Sequence, residues 1–218
     1  MIRRLRLGSR PSRLAITQAK EIEGLLEKGI EFEIIPIATL GDIDKTTPLA
    51  LAEGSDFFTQ KIEEALIAGR IDAAVHSAKD LEEKLPGELV IAAFTRSISP
   101  YECLVSHYGK PLGELARGAV IGTSSRKRKE ALFRFRPDLI VKDIRGNVEE
   151  RLAQLDKGEF DAIIMAHAAL LRLGYENRIS EIIPADIIEP HPLQGRLAVQ
   201  IRRDRPDLAR IFRRIDAN

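Results

Sequence analysis

Cysteine is almost missing from this chain of 218 residues: Cys103 stands alone, so no internal disulfide framework can form. That scarcity suits a reducing cytosol, and a cytoplasmic protein is expected. Tryptophan is absent and aromatics amount to 5% of residues, too few for the stacking platforms that hold single-stranded nucleic acid. A net charge of +1 also excludes a generally basic coat, so any basic patch is local and offset elsewhere. No apolar run approaches the ~20 residues of a membrane-spanning helix. The opening Met1-Ile-Arg-Arg-Leu-Arg6 is basic but has no apolar stretch behind it, as a secretory signal would. Neither nucleic acid nor membrane is therefore an expected partner. No Gly-x-Gly-x-x-Gly run and no P-loop lysine motif occurs, so nucleotides are not indicated. His107, His167 and His191 are scattered without metal-ligand spacing, and His76 reads as a strand-end hydrogen-bonding residue; no metal is expected.

What remains is ordinary globular composition, 44% hydrophobic and 31% charged, with length enough for two modest domains. Apolar runs alternate with helical stripes, the signature of an α/β fold. Phe32 to Ala38, Leu89 to Phe94, Val120-Ile121, Leu139 to Val141 and Ile163 to Met165 read as strands. Leu14, Ala15, Gln18, Ala19, Ile22 and Leu25 form one helical stripe; Phe58, Ile62, Ala65 and Leu66 form another; Leu208, Ile211, Phe212 and Ile215 form a last one. Gly69-Arg-Ile-Asp-Ala-Ala-Val75 and Gly158-Glu-Phe-Asp-Ala-Ile-Ile164 share a helix-stop glycine, an Asp-Ala step and an apolar strand. Leu7-Gly8-Ser9-Arg10 and Ile121-Gly122-Thr123-Ser124 both read as strand, glycine, hydroxyl and helix start, a turn suited to anions. Two similar domains explain this repeat, as do two βα units within one larger domain.

Two segments carry the chemistry. Gly122-Thr-Ser-Ser-Arg-Lys-Arg128 places hydroxyls and cations at a strand-to-helix turn, where free N–H groups favour carboxylates. His76-Ser-Ala-Lys-Asp80 ends a short apolar strand with a lysine and a carboxylate side by side. An enzyme acting on a polyanionic substrate fits both.

These segments resemble the hydroxymethylbilane synthase (porphobilinogen deaminase) family. Arg6-Leu-Gly-Ser-Arg-Pro-Ser-Arg-Leu-Ala15, Thr39-Leu-Gly-Asp42, Arg145-Gly-Asn-Val-Glu-Glu-Arg151, Leu155-Asp-Lys-Gly158, Leu171-Arg-Leu-Gly174 and Gln194-Gly195 follow in the family's order, from about residue 5 to 215. The resemblance implies two similar α/β domains around a central cleft, of the type II periplasmic-binding-protein kind. Residues 1–96 plus 196–218 would form the first and 97–195 the second, with crossovers near Thr95 to Pro100 and Glu189 to Arg196. The family's third domain, whose cysteine carries a dipyrromethane cofactor, is expected to be absent, or supplied by a separate chain; a monomer is otherwise expected.

The implied reaction is the head-to-tail condensation of porphobilinogen with release of ammonia, in tetrapyrrole biosynthesis. A binding module for a pyrrole or other small polycarboxylate, without catalysis, is the alternative. Asp80 takes the catalytic role by this resemblance; a cap on a helix starting at Leu81-Glu-Glu is its other reading. Arg10, Ser12, Ser77, Lys79, Thr123, Ser124, Ser125, Lys127, Arg128, Arg145, Arg151 and Gln194 are the expected substrate or cofactor contacts. Arg134 and Arg136 read as a solvated basic face, and Arg126 stands where the family has leucine. Departures cluster on the cofactor side: Ser55 and Gln60 stand where lysines are usual, Asp56 adds an acid, and Ser97-Ile-Ser-Pro-Tyr101 replaces an acidic-proline segment. Lys127 replaces an arginine and loses its bidentate fork. Cys103 lies in an apolar strand context, so no covalent attachment of dipyrromethane is expected in this chain.

Overall fold

The computed structural model describes residues 3–26, 29–43, 58–82 and 84–217. Ser55 and Asp56 lie outside these residues. The strands are β1 (Arg3–Ser9), β2 (Ile30–Pro36), β3 (Ala73–Ser77), β4 (Leu89–Phe94), β5 (Glu102–Ser106), β6 (Val120–Gly122), β7 (Ile140–Lys142), β8 (Ala162–Ala166), β9 (Glu181–Ile183) and β10 (Leu197–Arg202). The helices are α1 (Arg13–Leu25), α2 (Leu40–Ile43), α3 (Gln60–Ile67), α4 (Arg126–Phe135), α5 (Val148–Asp156), α6 (His167–Leu173) and α7 (Pro206–Phe212). The first strand of the apolar run at 32–38 begins and ends two residues earlier than its composition predicts, because Pro36 closes the ladder opposite Ser9.

The chain divides into two units. One holds the described residues up to 43, 58–98 and those from 196 onward; the other holds 99–195. The first division therefore falls between Ile98 and Ser99, two residues beyond the expected Arg96–Ser97 boundary. Each unit is built on a five-stranded mixed sheet, β2-β1-β3-β10-β4 in the first and β7-β6-β8-β5-β9 in the second. In both, the first three strands run parallel and the fourth and fifth pair antiparallel.

The sequence repeat marks this equivalence. Gly69 and Gly158 both turn the chain at positive φ, +68° and +76°, where a side chain would be strained. Asp72 accepts the Arg6 N–H at 2.8 Å and Asp161 accepts the Val120 N–H at 2.7 Å. Their own N–H groups return to the Arg6 and Val120 carbonyls at 2.8 and 2.9 Å. Each aspartate thus staples the start of a strand to its parallel neighbour, satisfying groups that a ladder end leaves open.

Apolar faces close each core separately. Leu5, Leu7, Ala19, Ile22, Val75, Val199, Leu208 and Phe212 pack in the first unit. Leu104, Ile121, Leu132, Ile164 and Ile183 pack in the second. Each of the larger side chains among them contributes roughly 1.5–3 kcal/mol by leaving water. Among the described residues no helix is long and apolar enough to cross a membrane.

Candidate active site

In the second unit, the turn after β6 and the loop after β7 lie at the carboxyl ends of parallel strands, where α/β sheets place ligands. Ser124 laces the two together: its hydroxyl donates to the Ile144 carbonyl at 2.8 Å and accepts the Ile144 N–H at 3.0 Å. Thr123 is fully buried, its N–H on the Lys142 carbonyl at 2.9 Å and its hydroxyl on the Ser125 N–H at 3.4 Å. These two hydroxyls shape the turn. Ser125 starts α4 without bonding its hydroxyl to the helix, and it is half-buried.

Arg145-Gly-Asn-Val-Glu-Glu-Arg151 has a local reason for each residue type. Asn147 caps α5 by accepting the Glu150 N–H at 2.8 Å, and Glu150 accepts the Asn147 N–H at 2.8 Å, a reciprocal capping box. Gly146 sits at φ +109°, and a side chain there would strike the Glu150 carboxylate. Arg151 donates from Nε to the Gly146 carbonyl at 2.8 Å, closing the loop. The half-buried Arg145 is thereby held at a helix start beside Ser124 and Asp143. Lys129, with smaller help from Ser124 and Arg145, holds the Asp143 carboxyl below the usual range.

Two of the expected substrate contacts make hydrogen bonds within the second unit. Arg128 is buried and grips Glu102 with two prongs while its third nitrogen donates to the Ile164 carbonyl at 3.1 Å. Three of its five N–H donors are thus used inside the unit. Gln194 is buried and donates to the Pro100 and Tyr101 carbonyls, both at 3.1 Å, fixing the entry to β5. Lys127 is exposed and lies 3.2 Å from Glu189.

In the first unit, β1 and β3 are parallel neighbours. Ser12 accepts the Ala15 N–H at 3.2 Å and so caps α1. Arg10 forms a forked pair with Asp42, Nε lying 3.1 and 3.2 Å from its two carboxylate oxygens, and stacks 4.7 Å over the Phe58 ring. Burial opposes ionisation of Asp42, but Arg10 and the Thr39 N–H outweigh it and hold the carboxyl below its ordinary range. Thr39-Leu-Gly-Asp42 is therefore the receptor for Arg10.

At the end of β3, Ser77 shares its hydroxyl with Gln18 at 3.0 Å. His76 is buried against Gln200 at 3.1 Å, and Gln200 donates to Glu63 at 2.7 Å. That chain of bonds makes Gln200 the acceptor of the His76 Nε2–H. Burial pushes His76 down to about 4 against the Gln200 bond, so the ring is neutral near pH 7. Gln18, Gln200 and Glu63 escaped sequence reading, although Gln18 stood as a polar member of an apolar stripe.

Ala78–Asp80 makes one turn of 3-10 helix and ends there. Leu81 is extended and no helix starts at Leu81 or Glu82, so Asp80 caps no α-helix there. Its carboxylate is exposed, one residue after the half-buried Lys79. In the second unit the equivalent strand, β8, runs directly into α6. Cys103, by contrast, is buried in β5, its thiol on the Met165 carbonyl at 3.4 Å. Burial, with Glu102 beside it, pushes the thiol up to about 12.

Comparison with known proteins places this geometry. Solved structures with similar folds include the methionine-binding protein MetQ, with a TM-score of 0.59 at 14% identity over 97% of this chain and 88% of that one. The Bordetella pertussis BvgS VFT2 domain gives 0.54 at 15%, over 98% and 85%. The fold is thus of the type II periplasmic-binding-protein kind, as the resemblance implied. In sequence, the porphobilinogen deaminase of Syntrophomonas wolfei is 43% identical over 99% of this chain and 71% of its own length. That of Geobacillus kaustophilus is 41% identical over 99% and 71%. The family model described as porphobilinogen deaminase, dipyromethane cofactor binding domain, matches residues 5–210. Strand-end carboxylate, capped arginine loop and hydroxyl turn thus occur within one matched span, and the chain belongs to the porphobilinogen deaminase family.

Proposed function

We propose that this chain is a transferase that joins porphobilinogen units head to tail with loss of ammonia, and that Asp80 is its catalytic carboxylate. The observation that carries this reading is the abrupt end of the turn after β3, which leaves Asp80 exposed as its last residue with no α-helix to cap. As the aminomethyl carbon–nitrogen bond breaks, positive charge develops on the pyrrole, and a carboxylate at that point stabilises it. The new carbon–carbon bond then forms and the coupled ring carbon loses a proton, which Asp80 accepts; ammonia leaves carrying the proton Asp80 relays. Lys79 binds a substrate carboxylate next to it. Each unit of substrate brings an acetate and a propionate, and Arg145, Arg151 and Lys127, with the Ser125 hydroxyl, supply matching donors.

A dipyrromethane is itself a polycarboxylate, and the same cations of the second unit fit its side chains. When bound, it supplies the pyrrole carbon to which the first substrate unit is joined. Cys103 does not fit as its covalent anchor, since the thiol is buried and resists ionisation.

Asp80→Asn keeps the shape and removes the charge. With porphobilinogen as substrate, ammonia release is expected to vanish while affinity stays within about tenfold. Turnover at about a tenth of the parent rate or above overturns the assignment. Binding without ammonia release by the unmodified chain replaces the enzyme with a polycarboxylate-binding module.

A further inference from the structure

A groove on the second unit lies outside all of this machinery. It measures about 540 Å³ and is lined by Lys129, Glu130, Phe133 and Arg134 of α4 and by Leu139 and Val141 at β7. Its walls are a helix and the edge strand of a sheet, since β7 pairs only with β6 among the described residues. Phe133 is 72% exposed beside it and Ile140 48%. Large apolar side chains clustered at a sheet edge are what a folded protein ordinarily blunts or covers.

The backbone of that edge has a defined polarity. Ile140 donates its N–H to the Ala119 carbonyl at 3.0 Å, and the Lys142 carbonyl accepts the Thr123 N–H at 2.9 Å. In a parallel ladder, alternate residues face the same neighbour, so the N–H and C=O of Val141 point away from β6, along the open edge. Helix, groove and outward-facing main chain together form the arrangement that accepts an extended peptide as an added strand.

Charge selects the peptide. On α4, Arg128 is buried on Glu102, Lys127 lies 3.2 Å from Glu189 and Arg126 lies 3.9 Å from Glu130. Lys129 is already matched to Asp143 at 2.8 Å, whereas Arg134 is exposed with no ion pair among the described residues. We infer that this groove docks an extended segment of a partner protein, adding to β7 through Val141, with an apolar side chain over Phe133 and a carboxylate two residues along on Arg134. Side chains two apart share one face of a strand, so both reach the helix side together.

The test uses the whole chain and a fluorescein-labelled peptide, Thr-Phe-Thr-Glu-Thr-Val-Thr-Glu, with fluorescence anisotropy as readout. Saturable binding is expected, weakening as salt rises. Phe133→Asp and Arg134→Glu, both at exposed positions, should each weaken it about tenfold or more. Val141→Pro removes the outward N–H without touching the β6 ladder, a substitution edge strands tolerate, and should abolish binding. Ammonia release from porphobilinogen, unchanged in all three, shows that they fold. Absence of saturable binding, or binding indifferent to Phe133→Asp and Arg134→Glu, overturns the proposal. So does a dimer of the unlabelled chain in sedimentation equilibrium that Phe133→Asp dissolves, because the face then belongs to a second copy.

Discussion

Arg128 and Glu102 meet as a two-pronged pair inside the second unit, Nε to Oε1 at 3.0 Å and Nη2 to Oε2 at 2.7 Å, with side chains 11% and 8% exposed. The basic run at 126–129 therefore has two faces, one turned to water and one that ties α4 to β5.

Removing one partner of such a pair strands the other charge. Arg128→Met is expected to destabilise the protein by about 3 kcal/mol or more, read as a fall in the urea midpoint. Arg128→Met combined with Glu102→Met should recover most of that loss, because no buried charge remains. A substrate-binding arginine would give the opposite pattern, weak binding at unchanged stability.

Arg145→Glu replaces a charge-assisted hydrogen bond with repulsion and should weaken porphobilinogen binding by roughly 2 kcal/mol. Arg134→Glu should leave it unchanged. Calorimetric titration of both variants checks this, and equal losses would move the carboxylate site to the outer face of α4.

Acid should destabilise the first unit through His76. Its folded value is near 4 against 6.5 for the free side chain, so the unfolded chain takes up the proton first. Stability from this group is complete above pH 6.5 and is lost as pH falls from there toward 4, by about 3 kcal/mol in all. Urea melts at pH 7 and pH 5 measure it, and His76→Gln should flatten the dependence over that window. The carboxylates held low by arginine, Asp42 and Asp72, contribute at more acid pH, because their stabilisation persists until they are protonated.

Cys103 should resist thiol reagents in the native protein and react rapidly in urea, since its thiol is buried and held near 12. Cys103→Ser should leave ammonia release unchanged. Intact mass of the denatured protein, purified from cells making porphobilinogen, should match the bare chain; a two-pyrrole adduct lost in Cys103→Ser would reverse this.

Local pattern carried the fold well and the side-chain partners poorly. Leu89–Phe94 is a strand over the six residues its apolar run predicts, and the α1 stripe buries Ala15, Gln18, Ala19 and Ile22 as its spacing requires. The repeat at Gly69 and Gly158 pointed to two equivalent sheets because turn glycines and strand-stapling aspartates leave marks within seven residues. β10 went unread, since Leu197–Arg202 mixes glutamine into a short apolar run that only its central place in the sheet explains. The partners of Arg128 and Ser124 went unread because they lie 26 and 20 residues distant. Residue type announces that a buried cation needs an acid; it does not say which one.

The contrast between the ends of β3 and β8 has an architectural consequence. Two halves built on one sheet plan differ at this junction. Where β8 flows into α6, the third residue past the strand is Ala169, locked within a helix; past β3 it is Asp80, in a turn that stops. The break in symmetry at one helix start leaves two matched sheets, one strand ending in an exposed acid and its counterpart running into a helix.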